Sequence, residues 1–403
     1  MSCKEWTRSI KGVNDVELGI PRTSELIYHC AMPEIEQADG LVFVIPGFGE
    51  DASGEIQRGL RTYLAETYNL LAVTVEYHCS RSGLSAGAKF SFTFDELGDL
   101  RKLCARHGIS SSDPAELIAG LARVSEANEL YVRLAPPNGD YQNFGVMQAL
   151  DHLAVLADLL KQRVHFDKEN IIALGASHGG YIAHMISKFA PNTLRAVIDN
   201  SSYTDPQRGL SLTTQINLGD SQLTLNCIVF HKWLFDDVTS PSYFLRGRMM
   251  IRHTSIQTEI DAMHQFSLRP CQYRMLHSPE AELEPVEYKR LQAQRLQQAG
   301  FDVILEEVTE PDVDGTPVKN LVQGMDSSLR AMFDHFYPTL VPNPGKLDSE
   351  LDSEIGYFCD DYYYSFLHGR NGCAMRVVPV PTKPEGRFYG QLSYGEQRIE
   401  FRI

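Results

Sequence analysis

Residues 171–182 read IIALGASHGGYI, and no other stretch of the chain limits the fold as tightly. An apolar run ends in Gly175-Ala176-Ser177-His178-Gly179, and helix-forming residues follow at once. A chain that passes from strand to helix inside one turn has no room for side chains beside the turning residue, so glycines flank Ser177. A serine held this way stands at the carboxyl end of its strand, where open α/β sheets bind their ligands. The Gly-x-Ser-x-Gly pattern alone is short enough to arise by chance; the strand before it and the helix after it give it meaning.

The flanking sequence supplies the rest of such a sheet. Leu41–Ile45 (LVFVI), Leu70–Tyr77 and Leu194–Asp199 are apolar runs of the kind expected for strands buried on both faces. Cys271–His277 and Phe301–Val308 add two more strands, and Val16–Ile20 with Glu25–Cys30 reads as an antiparallel opening pair. Helical patterns fall at Tyr141–Gln162, at Pro285–Ala299 (ended by Gly300) and at Ser327–Phe336. Strands alternating with helices predict an α/β chain: a mostly parallel, doubly wound sheet with helices on both faces. Residues 80–140 and 201–269 are too long for connections and read as insertions in a domain of residues 1–337. The second holds Trp233 and other aromatics, and its position suits a lid over the carboxyl edge of the sheet. Residues 338–403 read as an appended β-rich tail, with strand-like runs at Met375–Val380 and Arg387–Ile403.

Charge and composition exclude several roles. A formal net charge of −15 disfavours nucleic acid and anionic membrane surfaces as partners. The first fifteen residues contain no apolar signal region and no stretch approaches a membrane span, so a cytoplasmic location without membrane insertion is expected. Eight scattered cysteines without a Cys-x-x-Cys pair read as reduced thiols. Neither a cofactor nor a metal is expected: Glu280, Glu282 and Glu284 after His277 alternate ahead of Pro285 and read as a solvated loop. A small-molecule substrate is the expected partner; self-association into a homo-oligomer is left open.

A serine hydroxyl needs a base to take its proton and donors for the oxyanion that forms. The amide of His178, at the start of the helix, would be one donor. The amide of Phe48 would be the other, within Pro46-Gly47-Phe48-Gly49-Glu50 after the first buried strand. Gly47, Gly49 and Glu50 would line the site beside it. Tyr141, Gln142 and Asn143 either add amide donors and an aromatic wall or form a helix start capped by Asn138 and Asp140.

Gly175–Tyr181 (GASHGGY) resembles the elbow of prolyl-oligopeptidase-like and acyl-esterase branches of the α/β-hydrolase superfamily. A narrower resemblance rests on Asp15–Arg22 (DVELGIPR), Gly47–Ala52 (GFGEDA), Tyr77-His78-Cys79, Pro137–Ala149 and Ile198–Tyr203 (IDNSSY). These pieces look like a bacterial family of α/β-hydrolase-like proteins, members of which occur among flagellin-glycosylation genes. The resemblance implies an α/β-hydrolase fold and a serine site, and a sugar-derived or acylated small substrate. In that superfamily an acid follows the seventh strand and a histidine the eighth. Here the acid register falls on Ala281, beside Glu280 and Glu282, and Gln323 stands in the expected histidine's place within Lys319–Ser327. Glutamine has no proton equilibrium near neutral pH.

Three substitutes present themselves. His78 ends the strand before the first insertion. Asp199 ends the strand after the elbow helix, as acid or as turn cap. His231, His253 and His264 lie in the second insertion. The ring of His178 is expected to point away from Ser177. Three readings follow: acyl or ester hydrolysis or transfer through Ser177 with a non-standard relay, a binding protein that has lost the chemistry, and non-acyl chemistry in the same cleft.

Overall fold

The computed structural model of the chain describes residues 2–34, 37–124, 128–205, 214–217, 223–234, 239, 240, 242–244, 247–313, 315 and 318–380. Its central sheet has eight strands: β1 (Cys3–Lys11), β2 (Glu25–Pro33), β3 (Leu41–Ile45), β4 (Leu71–Glu76), β5 (Ile171–Ala176), β6 (Ala196–Asn200), β7 (Gln272–His277) and β8 (Val303–Glu307). Their spatial order is β1-β2-β4-β3-β5-β6-β7-β8. β1 and β2 pair antiparallel, β2 is antiparallel to β4, and all later neighbours run parallel. This is the α/β-hydrolase fold. The carboxyl ends of β3 to β8 meet along one edge, which collects the elbow, the Gly47–Glu50 loop and the turn after β6.

Alternation within the strands divides the core. Val42, Val44, Ile172 and Leu174 face α1 (Glu55–Tyr68) and α5 (Leu329–Phe336) through Leu64, Phe333 and Phe336. Phe43, Ile45 and Ala173 face the other helices: α2 (Val146–Lys161), α3 (His178–Phe189) and α4 (Val286–Ala299). Both faces of β3 and β5 are therefore apolar, which is why these strands read as unbroken hydrophobic runs.

Two expected elements differ. Val16–Ile20 is not a strand but a turn, closed by reciprocal backbone bonds between Asp15 and Ile20 at 3.0 Å, with Asp15 Oδ1 accepting from the Leu18 amide at 2.9 Å. The opening strand is Cys3–Lys11, paired with β2 from Cys3↔Pro33 to Lys11↔Glu25. It lies at the sheet edge with mostly exposed, polar side chains, so hydrophobic pattern does not reveal it. α2 begins at Val146 rather than Tyr141 because Phe144 and Gly145 take positive φ values of 58° and 100°. Gly145 is its N-cap, and Asn143, two residues ahead, accepts at Oδ1 from the Met147 amide at 2.8 Å; Asn138 and Asp140 do not.

The two insertions share a core of their own. Leu223–Val229 from the second runs parallel to Asn128–Ala135 from the first, within a four-stranded sheet completed by Lys89–Ser91 and Thr214–Asn217. Leu100, Leu117, Leu121, Val132, Leu134 and Leu225 are buried together there, and Phe48 packs against them. Parts of the expected lid (206–213, 218–222, 235–238, 241, 245 and 246) fall outside the described residues, as does the strand expected at Arg387–Ile403. The β-rich tail is present as three antiparallel strands, Glu354–Cys359, Tyr362–Gly369 and Gly372–Pro379. They lie directly on the main core: the rings of Phe189 and Phe366 stack at 3.9 Å, and Tyr364 donates to Glu17 at 2.7 Å. Arg252, fully buried, completes that tie by ion-pairing with Glu17.

Candidate active site

The elbow is visible in the backbone of one residue. Ser177 adopts φ 51°, ψ −118°, outside the regions L-residues ordinarily occupy, and is half-buried. Its amide donates to Asn200 O at 2.7 Å and its carbonyl accepts from Tyr181 at 3.0 Å, so β6 and α3 both hold the turn. Packing behind it is close. A Cβ on Gly175 would fall 2.4 Å from the Gly179 carbonyl carbon, and one on Gly179 would fall 2.1 Å from Ile45 O. Only glycine lets α3 approach β3 and β5 this closely.

The Gly47–Glu50 loop lies against the elbow: a Cβ on Gly47 would sit 3.6 Å from Ala176 O. Glu50 Oε2 accepts from the Gly47 amide at 3.0 Å and from Gln57 at 3.0 Å, and Tyr77 donates to Pro46 O at 2.9 Å. Gly49 turns with φ 74°. The Phe48 amide has no acceptor among the described residues, and the Phe48 ring stands edge-on to His178 at 6.0 Å. The first amides of α3 likewise have no intrahelical acceptor and carry the positive end of the helix dipole.

The His178 ring is buried and engaged on both nitrogens. Gln148 Nε2 donates to His78 O at 3.1 Å, which turns its Oε1 toward His178 Nε2 at 2.9 Å. His178 Nε2 therefore carries the proton, and Nδ1 accepts from Tyr203 OH. Burial pushes this imidazole down to about 3, so it stays neutral. The ring is an anchor that fixes its own backbone amide, and it does not bond Ser177. Tyr203 and Gln148 escape sequence reading because an aromatic in a loop and an amide on a buried helix carry no pattern of their own.

Gln323 lies beside the elbow. Its Nε2 donates to Ser201 O at 2.7 Å, while its buried Oε1 has no partner among the described residues. The adjoining Gly324 O accepts from Asn200 at 3.0 Å. Asp199 is fully enclosed and faces away from the cleft. It accepts from Lys289 at 2.6 Å, Ser202 Oγ at 2.7 Å and His184 at 3.2 Å. Burial alone would raise this carboxyl, but Lys289 and His184 outweigh it and hold it well below the usual carboxylate range.

Among the acidic loop residues, Glu282 and Glu280 are exposed and Ala281 is buried. Glu284 turns inward instead, accepting from Thr204 at 2.6 Å, while its carbonyl accepts from His277 Nε2 at 2.8 Å. Burial pushes His277 down to about 4.

Tyr141, Gln142 and Asn143 are all buried and committed to the protein itself. Tyr141 donates to Asp15 at 2.6 Å and Asn143 to the same carboxylate at 3.1 Å. Gln142 Oε1 accepts from Phe144 N at 2.9 Å. The His78 ring stands edge-on to Tyr141 at 4.9 Å, with Nδ1 3.4 Å from Asp140 Oδ1. Asp140, expected as a helix cap, thus stands beside the His78 ring instead. His264 packs on Phe301 at 5.1 Å, and His253 accepts from the Ser255 amide at 3.2 Å. His231 lies 6.0 Å from the Phe144 ring.

Solved structures similar to this chain are α/β-hydrolase-fold enzymes. Acylaminoacyl peptidase from Pyrococcus horikoshii matches at 13% identity and TM-score 0.45, over 86% of this chain and 43% of its own. A lipase/esterase from Lactobacillus plantarum matches at 10% identity and TM-score 0.42, over 84% of this chain and 100% of its own. Est1E from Butyrivibrio proteoclasticus, solved with ferulic acid, matches at 12% identity and TM-score 0.40, over 78% of this chain and 95% of its own. The chain thus spans less than half the length of the peptidase it matches. A search of curated proteins found no match. No helix among the described residues is long and apolar enough to cross a membrane. A family model described as "Protein of unknown function (DUF2920)" matches residues 7–114 and 116–376, nearly the whole of the described sheet, elbow and insertions, and the chain belongs to that family.

Proposed function

We propose that the protein is a serine-hydrolase-like enzyme that cleaves or transfers an acyl group through Ser177. The observation that carries this reading is the Ser177 backbone, held at φ 51°, ψ −118° by glycines on both sides. Strain of this kind costs on the order of 1–3 kcal/mol and persists only where the surroundings impose it. In this reading Ser177 Oγ attacks the acyl carbon, and the Phe48 and His178 amides hold the oxyanion. An acylated small molecule, sugar-derived in keeping with the family resemblance, is the substrate class. The relay is non-standard, because Gln323 replaces a base and Asp199 is locked to Lys289.

A fluorophosphonate probe tests this reading, since it reacts with activated serines. Labelling at Ser177, absent from Ser177→Ala, is the expected result. Absence of labelling in the folded wild-type protein would defeat it. The Gln323 amide favours the second reading, a binding protein. Tight ligand binding in the cleft without labelling would establish that one instead.

A further inference from the structure

Among the described residues, one buried imidazole has no hydrogen bond at either ring nitrogen, and a carboxylate stands beside it. His78 is 2% exposed, yet neither ring nitrogen has a hydrogen-bond partner among the described residues. A neutral imidazole always carries one N–H and one lone pair in its plane. Leaving either unmet in an interior costs about 1–3 kcal/mol, so such a group calls for an explanation, a catalytic role or a bound water among them.

The surroundings fix this ring firmly. Its backbone amide donates to Asp151 at 2.7 Å, and its carbonyl accepts from Gln148 at 3.1 Å. Tyr141, itself tied to Asp15, stands edge-on against the ring. Asp140 Oδ1 lies 3.4 Å from Nδ1, while Asp140 also accepts from Ser24 at 2.6 Å and from the Cys79 amide at 3.0 Å. Taking the Cys79 amide comes with a left-handed backbone at Cys79, φ 65°, so strain is stored beside His78 as well as at Ser177. Burial raises the Asp140 carboxyl, but His78, Ser24 and the Cys79 amide outweigh it and bring it down to about 2. An ionised carboxylate facing Nδ1 keeps the proton there and leaves the Nε2 lone pair open.

Register brings the end of β4, just ahead of His78, alongside the elbow. Phe43 pairs with Val73 on β4 and with Ala173 on β5, so counting onward puts Tyr77 at the height of Ser177. The two stand two strand spacings apart, roughly 10 Å backbone to backbone. Gln148 joins the two sides, bonded at one end to the His178 ring and at the other to the His78 carbonyl.

We infer that His78 is the general base of the Ser177 site, with Asp140 as its positioning residue. This inference rests on the acyl-transfer reading above. As Ser177 Oγ bonds to the acyl carbon, its proton passes to His78 Nε2, directly or through one water. The imidazolium then protonates the departing oxygen as its bond to the acyl carbon breaks. In the second half, His78 takes a proton from the attacking water, and Ser177 leaves with that proton restored. The base thus comes from the β4 side of the sheet, where the residue after β8 would ordinarily serve.

The test follows fluorophosphonate labelling of Ser177 from pH 5 to 8.5 in wild type, His78→Gln and Asp140→Asn, with melting temperatures measured alongside. Charged and titratable groups around the ring are Asp140, Asp151, Arg22, Tyr141 and Lys232. The wild-type rate is expected to rise with pH. His78→Gln should label at least a hundredfold more slowly and lose that rise, in line with the 10²–10⁴ typical of general bases. Asp140→Asn should keep the rise but move its midpoint, which a merely structural carboxylate would not do. Folded His78→Gln that labels at the wild-type rate and pH profile would overturn the assignment while the nucleophile reading stands. Absence of Ser177 labelling in wild type would defeat both.

Discussion

Lys289 Nζ lies 2.6 Å from Asp199 Oδ2, and both side chains are wholly enclosed between α4 and the end of β6. Position in the sequence made Asp199 an eligible relay acid; this ammonium takes it out of the cleft. The same carboxylate organises Ser202 and His184, so it holds α3 to β6 and thereby the elbow.

Breaking a buried ion pair from one side leaves the other charge uncompensated, at about 3–5 kcal/mol. Lys289→Met and Asp199→Asn should each lower stability by that order in urea titration. The double variant should lose less than the sum of the two. Normal stability in Asp199→Asn, together with slow Ser177 labelling, would instead make Asp199 a member of the relay.

Packing at the elbow predicts a contrast between two glycines. Gly179→Ala drives its Cβ into Ile45 O at 2.1 Å and should cost at least about 1–3 kcal/mol, because backbone must move. Gly59, inside α1, has open space where a Cβ would go, so Gly59→Ala should stabilise by about 0.5–1 kcal/mol. Melting temperatures of the two variants decide the point. An unaffected Gly179→Ala would mean the turn is looser than described.

Buried histidines, His178, His152 and His277 together with His184, weaken the fold as the pH falls. Burial lowers His178 to about 3 and His152 and His277 to about 4, all below the ordinary value of 6.5. The unfolded chain takes up their protons first as the pH falls, so each costs stability from about pH 6.5 downward. Above that value their contribution is complete. Each should lower unfolding free energy by about 1.4 kcal/mol per pH unit until its folded-state value is reached. Denaturation midpoints between pH 7 and pH 4.5 measure the slope. Tyr203→Phe strands His178 Nδ1 and should cost about 1–3 kcal/mol at neutral pH.

Gln323→His places an imidazole where its amide now meets Ser201 O. General bases give about 10²–10⁴ when fully aligned, so this unpaired histidine should raise p-nitrophenyl acetate hydrolysis by roughly tenfold. Adding Ala281→Asp supplies an acid at the superfamily register, and the double variant should exceed the single. Unchanged hydrolysis in both would show that the loop at Gln323 does not face the Ser177 hydroxyl.

The sheet and the elbow were legible in the residues themselves. Strands buried on both faces must be apolar along their length, as at Leu41–Ile45 and Ile171–Leu174, and a strand-to-helix turn without room for Cβ atoms must have glycine at 175 and 179. Those are local requirements, so the local sequence records them. β1 was not legible, because an edge strand with solvent on its side chains obeys no apolar alternation. The partners of Asp199, His178 and His78 were beyond reach for another reason. Lys289 lies 90 residues from Asp199, and Asp140 lies 62 from His78. Whether a carboxylate serves a cleft, a salt bridge or a histidine depends on which distant side chain folding brings within 3 Å or so of it, and only the tertiary structure decides that.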